Sequence, residues 1–83
     1  MNQVRAITAI KTACSHVGGQ AEMAKRLGIS PPTVNQWING SRQIPARRCP
    51  EIEKATAGIV RCEDLRPDID WSYLRGTQSV AAN

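Results

Sequence analysis

The chain has 83 residues, a formal charge of +4 at pH 7 and 41% hydrophobic residues, which fits one small domain with a modest core. No apolar run approaches the roughly 18 residues of a spanning helix, and the helices lack the Trp, Leu and Lys patterning of a membrane-surface anchor. Three cysteines, Cys14, Cys49 and Cys62, are odd in number and widely spaced, which argues against a disulfide framework or a CxxC-type metal site and for small core residues.

The first segment, MNQVRAITAIKTACSHV, interrupts its apolar residues with Arg5 and Lys11, so it reads as an amphipathic helix and not as a signal peptide. Its expected buried stripe is Val4, Ile7, Ile10, Cys14 and Val17. His16, the single histidine, reads as a last-turn residue favoured by the helix dipole, with no catalytic or ligand role.

Residues 20–39, QAEMAKRLGISPPTVNQWIN, carry the strongest pattern. Ala21, Met23, Ala24 and Leu27 give a small and apolar face at helical spacing, and Gly28 supplies the left-handed residue that closes a helix. Ala24 is small enough for a crossing helix to approach closely. Ser30 is the expected N-cap of the next helix, with Pro31 at its first position, where the missing N–H costs nothing. Val34, Trp37 and Ile38 form the inner face, with Ile29 inward in the turn. The outer face runs through Pro32, Asn35, Gln36 and Asn39, with Thr33 at its edge, and carries amides but no charge. Asn and Gln can pair in bidentate fashion with adenine and Thr can meet thymine, so the face suits base edges in a major groove. An ordinary helix pair with a solvated outer surface stays open from spacing alone.

Charge is unevenly placed: residues 1–50 hold seven Lys or Arg against one Glu, and residues 51–83 hold four against six acids. The basic half contains the helix pair, consistent with a polyanionic partner. After Asn39-Gly40, the connection Ser41-Arg42-Gln43-Ile44-Pro45 leads to Ala46-Arg47-Arg48. Arg42 and Arg47 are expected to clamp phosphates, and Arg48 less so because adjacent residues point apart. A helix over Pro50 to Thr56 should bury Ile52 and Ala55 and close at Gly58.

Ile59-Val60-Arg61 is β-prone but short, so a small hairpin in this half is an open alternative to a helical turn from Cys62 to Leu65 that stops at Arg66-Pro67. Ile69, Trp71, Tyr73 and Leu74 are expected to fold back as anchors on the bundle or on a second copy. The division is a domain over 1–75 and a disordered tail over 76–83, GTQSVAAN. No nucleophile, base and orienting group form a set, and no phosphate-binding glycine loop is present, so no enzyme, cofactor or metal is expected. The acids Glu63, Asp64, Asp68 and Asp70 lack the glycine and ligand alternation of a calcium loop and read as a solvated surface.

Three runs, QAEMAKRLGISPPTVNQWING, IPARRCPEIEKATAG and VRCEDLRPDIDW, in this order, resemble the Cro-like phage and prophage repressors of the YdaS subgroup over about residues 3–75. The resemblance implies an all-α fold, a compact bundle of about five short helices with a lambda-repressor/Cro-like helix-turn-helix. It also implies a cytoplasmic bacterial or phage transcription factor that binds double-stranded operator DNA, on paired half-sites, as a homo-oligomer through Ile69, Trp71, Tyr73 and Leu74. Carried over by position, Ser30, Pro32, Thr33, Asn35 and Gln36 read bases. Gln20 binds a phosphate and braces the second helix, and Asn39, Ser41 and Arg42 contact the DNA backbone. The paired prolines Pro31 and Pro32 depart from relatives that place hydrogen-bonding side chains there, which narrows direct readout to Thr33, Asn35 and Gln36. A role within a toxin and antitoxin operon and a protein-interaction module are the alternatives to a promoter-occluding repressor.

Overall fold

The computed structural model describes residues 2–72 and 74; the expectations for Tyr73 and for the tail over 76–83 lie outside the described residues. Five α-helices follow in order, α1 (Asn2–Val17), α2 (Gln20–Leu27), α3 (Pro31–Ile38), α4 (Cys49–Ala55) and α5 (Cys62–Leu65), with a 3-10 turn at Ala46–Arg48 leading into α4. The described residues contain no strand, so the short helix is found where a hairpin was the alternative. The architecture is the all-α bundle expected.

Helix α1 packs against α2, α3 and α5, and α2 against α3 and α4. Its buried stripe is rotated from the one expected: Ile10, Ala13 and Cys14 are buried with Ala9, whereas Val4 is 67% exposed. At 100° per residue Val4 lies some 120° around the helix from Ile10, beyond the contact that the close-packed Ala9 and Ala13 define. The core gathers Ile10, Met23, Val34, Trp37, Ile52, Val60, Leu65 and Trp71 around these small residues. All three cysteines are buried within it. Burial raises the Cys14 thiol and pushes Cys49 up to about 11, so neither is a thiolate nucleophile at neutral pH.

Helix α2 ends as expected. Gly28 is left-handed (φ 70°), and the N–H of Ile29 donates to the Ala24 carbonyl at 3.0 Å, the six-to-one bond of a Schellman closure. Ala21, by contrast, is exposed; it stands about 60° around α2 from Ala24, in the first turn and at the edge of the buried face. The α4 closure differs from the glycine expectation. Ala57, not Gly58, is the first left-handed residue (φ 54°), and Gly58 continues the reversal at φ 83°. Its N–H donates back to Glu53 at 2.9 Å.

One buried hydroxyl fixes the segment that follows. Thr56 is fully buried; its Oγ1 bonds the Glu53 and Val60 carbonyls, and it accepts from the Val60 N–H, each at 3.2 Å. Glu53 receives the Cys62 N–H at 2.9 Å, and Asp64 Oδ2 receives the Arg61 N–H at 3.0 Å, so α5 starts from satisfied donors. Arg66 then ties the C-terminal segment to the rest. It donates to the Ile44 carbonyl at 2.9 Å and grips Asp68 with two bonds of 2.9 and 2.8 Å. Trp71 donates to the Arg66 carbonyl at 2.9 Å and is buried in its own bundle. Of the two placements expected for Trp71, this is the one on the bundle, and Ile69 and Leu74 are partly covered by the same core.

Candidate nucleic-acid interface

Helix α3 buries Val34 and Trp37 against α1 and α2, and Ile38 packs partly against the same core. This fixes which way the other side looks. Pro32, Asn35 and Asn39 are exposed, and Thr33 and Gln36 are half-buried. The Ser30 hydroxyl does not cap the helix as expected; it pairs with the Thr33 hydroxyl at 3.0 Å. With Pro31 and Pro32 supplying no N–H in the first turn, the cap has fewer donors to satisfy, and the two hydroxyls are left side by side at the helix start.

A chain of amides crosses this face. Asn35 Nδ2 donates to Gln20 Oε1 at 3.3 Å, and Asn39 Nδ2 donates to Asn35 Oδ1 at 3.4 Å. Asn39 Oδ1 in turn accepts the Ser41 N–H at 2.8 Å and the Ser41 hydroxyl. Asn35 is therefore held from both ends, by the first residue of α2 and by the next turn of its own helix. One N–H and one acceptor position of its amide are not engaged in this chain, the complement that an adenine edge presents. Gln36, beside it, has no side-chain hydrogen bond among the described residues.

The residues assigned to phosphates divide into two groups. Gln20, Asn39 and Ser41 belong to the amide chain, and the N–H of Arg42 donates to the Gln36 carbonyl at 3.2 Å, which holds the start of the loop against the end of α3. Arg42 and Arg47 are exposed, and among the described residues neither has an ion-pair partner, a property shared with Lys11, Lys25 and Lys54. Arg48 is different. Its guanidinium donates to the Leu27 carbonyl at 3.1 Å and to Glu51 at 2.9 Å, closing the C-terminus of α2.

Two features escaped the sequence reading. The Arg66–Ile44 bond anchors the loop that leaves the outer face, and only the fold brings residues 22 positions apart together. The Asn39–Ser41 link is local, and an Asn two residues ahead of a Ser is a recognisable turn signal. No group of residues that could hold a metal ion occurs among the described residues. Among the described residues no helix is long and apolar enough to cross a membrane.

Comparison with known proteins gives a consistent set. The chain is 64% identical over 73 residues to the protein named "Putative transcriptional regulator YdaS" of Escherichia coli (strain K12), covering 88% of this chain and 74% of that protein. It is 31% identical over 67 residues to "Regulatory protein cro" of Pseudomonas phage D3, covering 81% of this chain and 92% of the phage protein. No solved structure matches. Residues 10–74 match the family described as Bacterial toxin YdaS, a span that includes both helices of the turn, the amide chain and the Arg66 tie, and the chain belongs to that family.

Proposed function

We propose that this chain is a sequence-specific DNA-binding transcriptional regulator that represses a prophage promoter by occupying its operator and blocking polymerase. The amide chain carries the reading. Gln20, Asn35, Asn39 and Ser41 form one hydrogen-bonded row on the uncharged outer face of α3, with Arg42, which has no ion-pair partner among the described residues, at its end. Ordering side chains before contact removes a cost of binding, and a row of this kind has no evident use on a plain solvated helix. The relatives named as a transcriptional regulator and as a phage cro protein point the same way.

In this reading Asn35 and Gln36 meet base edges, with Thr33 and the Ser30 hydroxyl at the helix start and Pro32 in apolar contact. Gln20, Asn39, Ser41, Arg42 and Arg47 hold the backbone. One helix-turn-helix of this size buries limited surface on DNA, so two subunits on half-sites about one helical turn apart supply specific affinity. No ligand is required. Fluorescence anisotropy on DNA from upstream of the gene, against a shuffled fragment at two salt concentrations, tests this. Preference of about a hundredfold or more for the native fragment, with affinity falling as salt rises, is expected. Equal weak binding to both would leave a basic surface alone and favour a protein partner for the α3 face.

The family's description as a toxin supports a second reading, in which the chain disturbs growth within a toxin and antitoxin operon. The two are separable by inducing wild type and Gln36→Ala. Growth arrest by both, with operator binding lost only in the variant, would place the toxicity outside the α3 face.

A further inference from the structure

Among the described residues two large hydrophobic side chains are exposed, Val4 at 67% and Ile59 at 56%; Ile59 lines a shallow groove, and Val4 precedes its α1 wall. Its walls are Arg5, Thr8 and Thr12 of α1 on one side and Ile59, Val60 and Asp64 on the other. No residue of α2, α3 or the 39–48 connection lines it, so whatever fills it leaves the α3 outer face free. Val4 stands one turn before Thr8 on the same side of α1. The Thr12 hydroxyl donates to the Thr8 carbonyl at 3.0 Å, so its polar atom is turned onto the helix. The strip is thus more apolar than its composition suggests.

The edge of the groove carries one charge of each sign. Arg5 donates to Asp64 Oδ1 at 3.1 Å, with side chains 58% and 37% exposed. A surface holding an apolar strip beside a cation and an anion can meet its own copy across a two-fold axis, where residue i of one copy faces residue j of the other and the reverse. A surface of one sign could not meet its own copy in this way. Trp71, by contrast, is buried in the chain's own core.

We propose that this groove is a two-fold self-association face. A second copy of the chain docks on it with Val4 and Ile59 covered, and Arg5 of each copy exchanges Asp64 of its own chain for that of the other. The proposal takes from the function above only the use of paired half-sites; the surface argument stands on α1 and the Ile59 turn. Two large apolar anchors per copy place the interface at the small, weak end of specific association. The dimer therefore forms at high concentration in solution and is completed on adjacent half-sites.

Sedimentation of the full chain without DNA, up to about 1 mM protein, provides the test. A rise of the average mass from 9.1 kDa toward twice that value is expected, and Ile59→Asp should weaken association by at least about tenfold with an unchanged far-UV spectrum. Charge reversal separates intermolecular from internal pairing. Arg5→Glu and Asp64→Lys should each weaken self-association, and an equimolar mixture of the two should recover it, because each then meets the opposite sign across the axis. Should Asp64→Lys unfold, the Ile59→Asp result decides alone. A chain monomeric throughout, or a dimer indifferent to Ile59→Asp, overturns the proposal. Operator binding by such a monomer would leave the proposed function standing, whereas a dimer with no preference for the native fragment would remove that function and leave this face.

Discussion

If Gln20 prepares Asn35 for DNA, removing Gln20 must matter only while Asn35 is present. Their bond is 3.3 Å long between two exposed residues, so it contributes at most about 0.5 kcal/mol to folding. Gln20→Ala should therefore shift Tm by no more than about 2–4 °C. On DNA the effect is larger, because holding one rotamer-rich side chain in place costs about 0.5–1.5 kcal/mol. Losing that ordering weakens binding by about 2- to 13-fold. Asn35→Ala should cost about 1–3 kcal/mol and flatten preference at one base pair. Anisotropy on the native fragment with wild type, both single variants and the double variant gives the coupling directly. Any phosphate contact of Gln20 itself is present in both backgrounds and cancels. The expected coupling is the 0.5–1.5 kcal/mol of ordering. Additivity of the two substitutions, within about 0.3–0.5 kcal/mol, would show that Gln20 does not act through Asn35.

Arg42→Ala should weaken native and shuffled DNA alike and lower the salt slope by about one; an unchanged slope in a salt series would take Arg42 off the phosphates. Thr56→Val leaves the Val60 N–H and C=O without their hydroxyl partner and should destabilise by about 1–3 kcal/mol despite adding an apolar group. Thr56→Ser, which loses only a methyl, should cost about 0.8 kcal/mol, and urea midpoints in the opposite order would refute the role given to the hydroxyl. The two hydrogen bonds from Arg66 hold the Asp68 carboxyl below its ordinary value. Its contribution is therefore present above the unfolded pKa of about 3.9 and lost as pH falls through the lower folded value. Wild type should melt above Asp68→Asn at neutral pH, with the two converging as pH falls through that lower value; a gap that persists in acid would place the stabilisation elsewhere.

The helix-turn-helix was legible because its signals are local. The Gly28 closure, Pro31 at the first position and the Val34, Trp37 spacing each depend on a few neighbouring residues, and each is found as read. The departures occur where two local rules compete or where a partner is distant. Val4 fits a stripe of large apolar residues, but the contact is set by Ala9 and Ala13, whose small size lets the other helices close in. Gly58 is the natural left-handed residue, yet the reversal begins at Ala57, because the chain must bring Val60 onto the Thr56 hydroxyl. Nothing near Thr56 in sequence announces that it will be fully buried. Ser30 has the right type for a cap, but two prolines remove donors it would have served and Thr33 offers a closer partner. The Gln20 contact to Asn35 spans 15 positions, and only the family resemblance pointed to it.

The same prolines constrain how specificity can arise. With Pro31 and Pro32 donating nothing, bidentate base readout in the proposed function falls to Asn35 and Gln36, while the Ser30 and Thr33 hydroxyls are paired to each other. A good bidentate contact discriminates by about 1–3 kcal/mol, so one subunit commands about 2–6 kcal/mol. Specific regulators separate operator from other DNA by about 4–10 kcal/mol. One subunit reaches only the lower part of that range, and two subunits cover it. A short, largely uncharged recognition face therefore implies either a second copy on the same operator or a sequence-dependent deformation of the DNA between half-sites. These leave different marks: a second copy repeats the same base preferences one helical turn away, whereas deformation concentrates preference at central base pairs that no side chain touches.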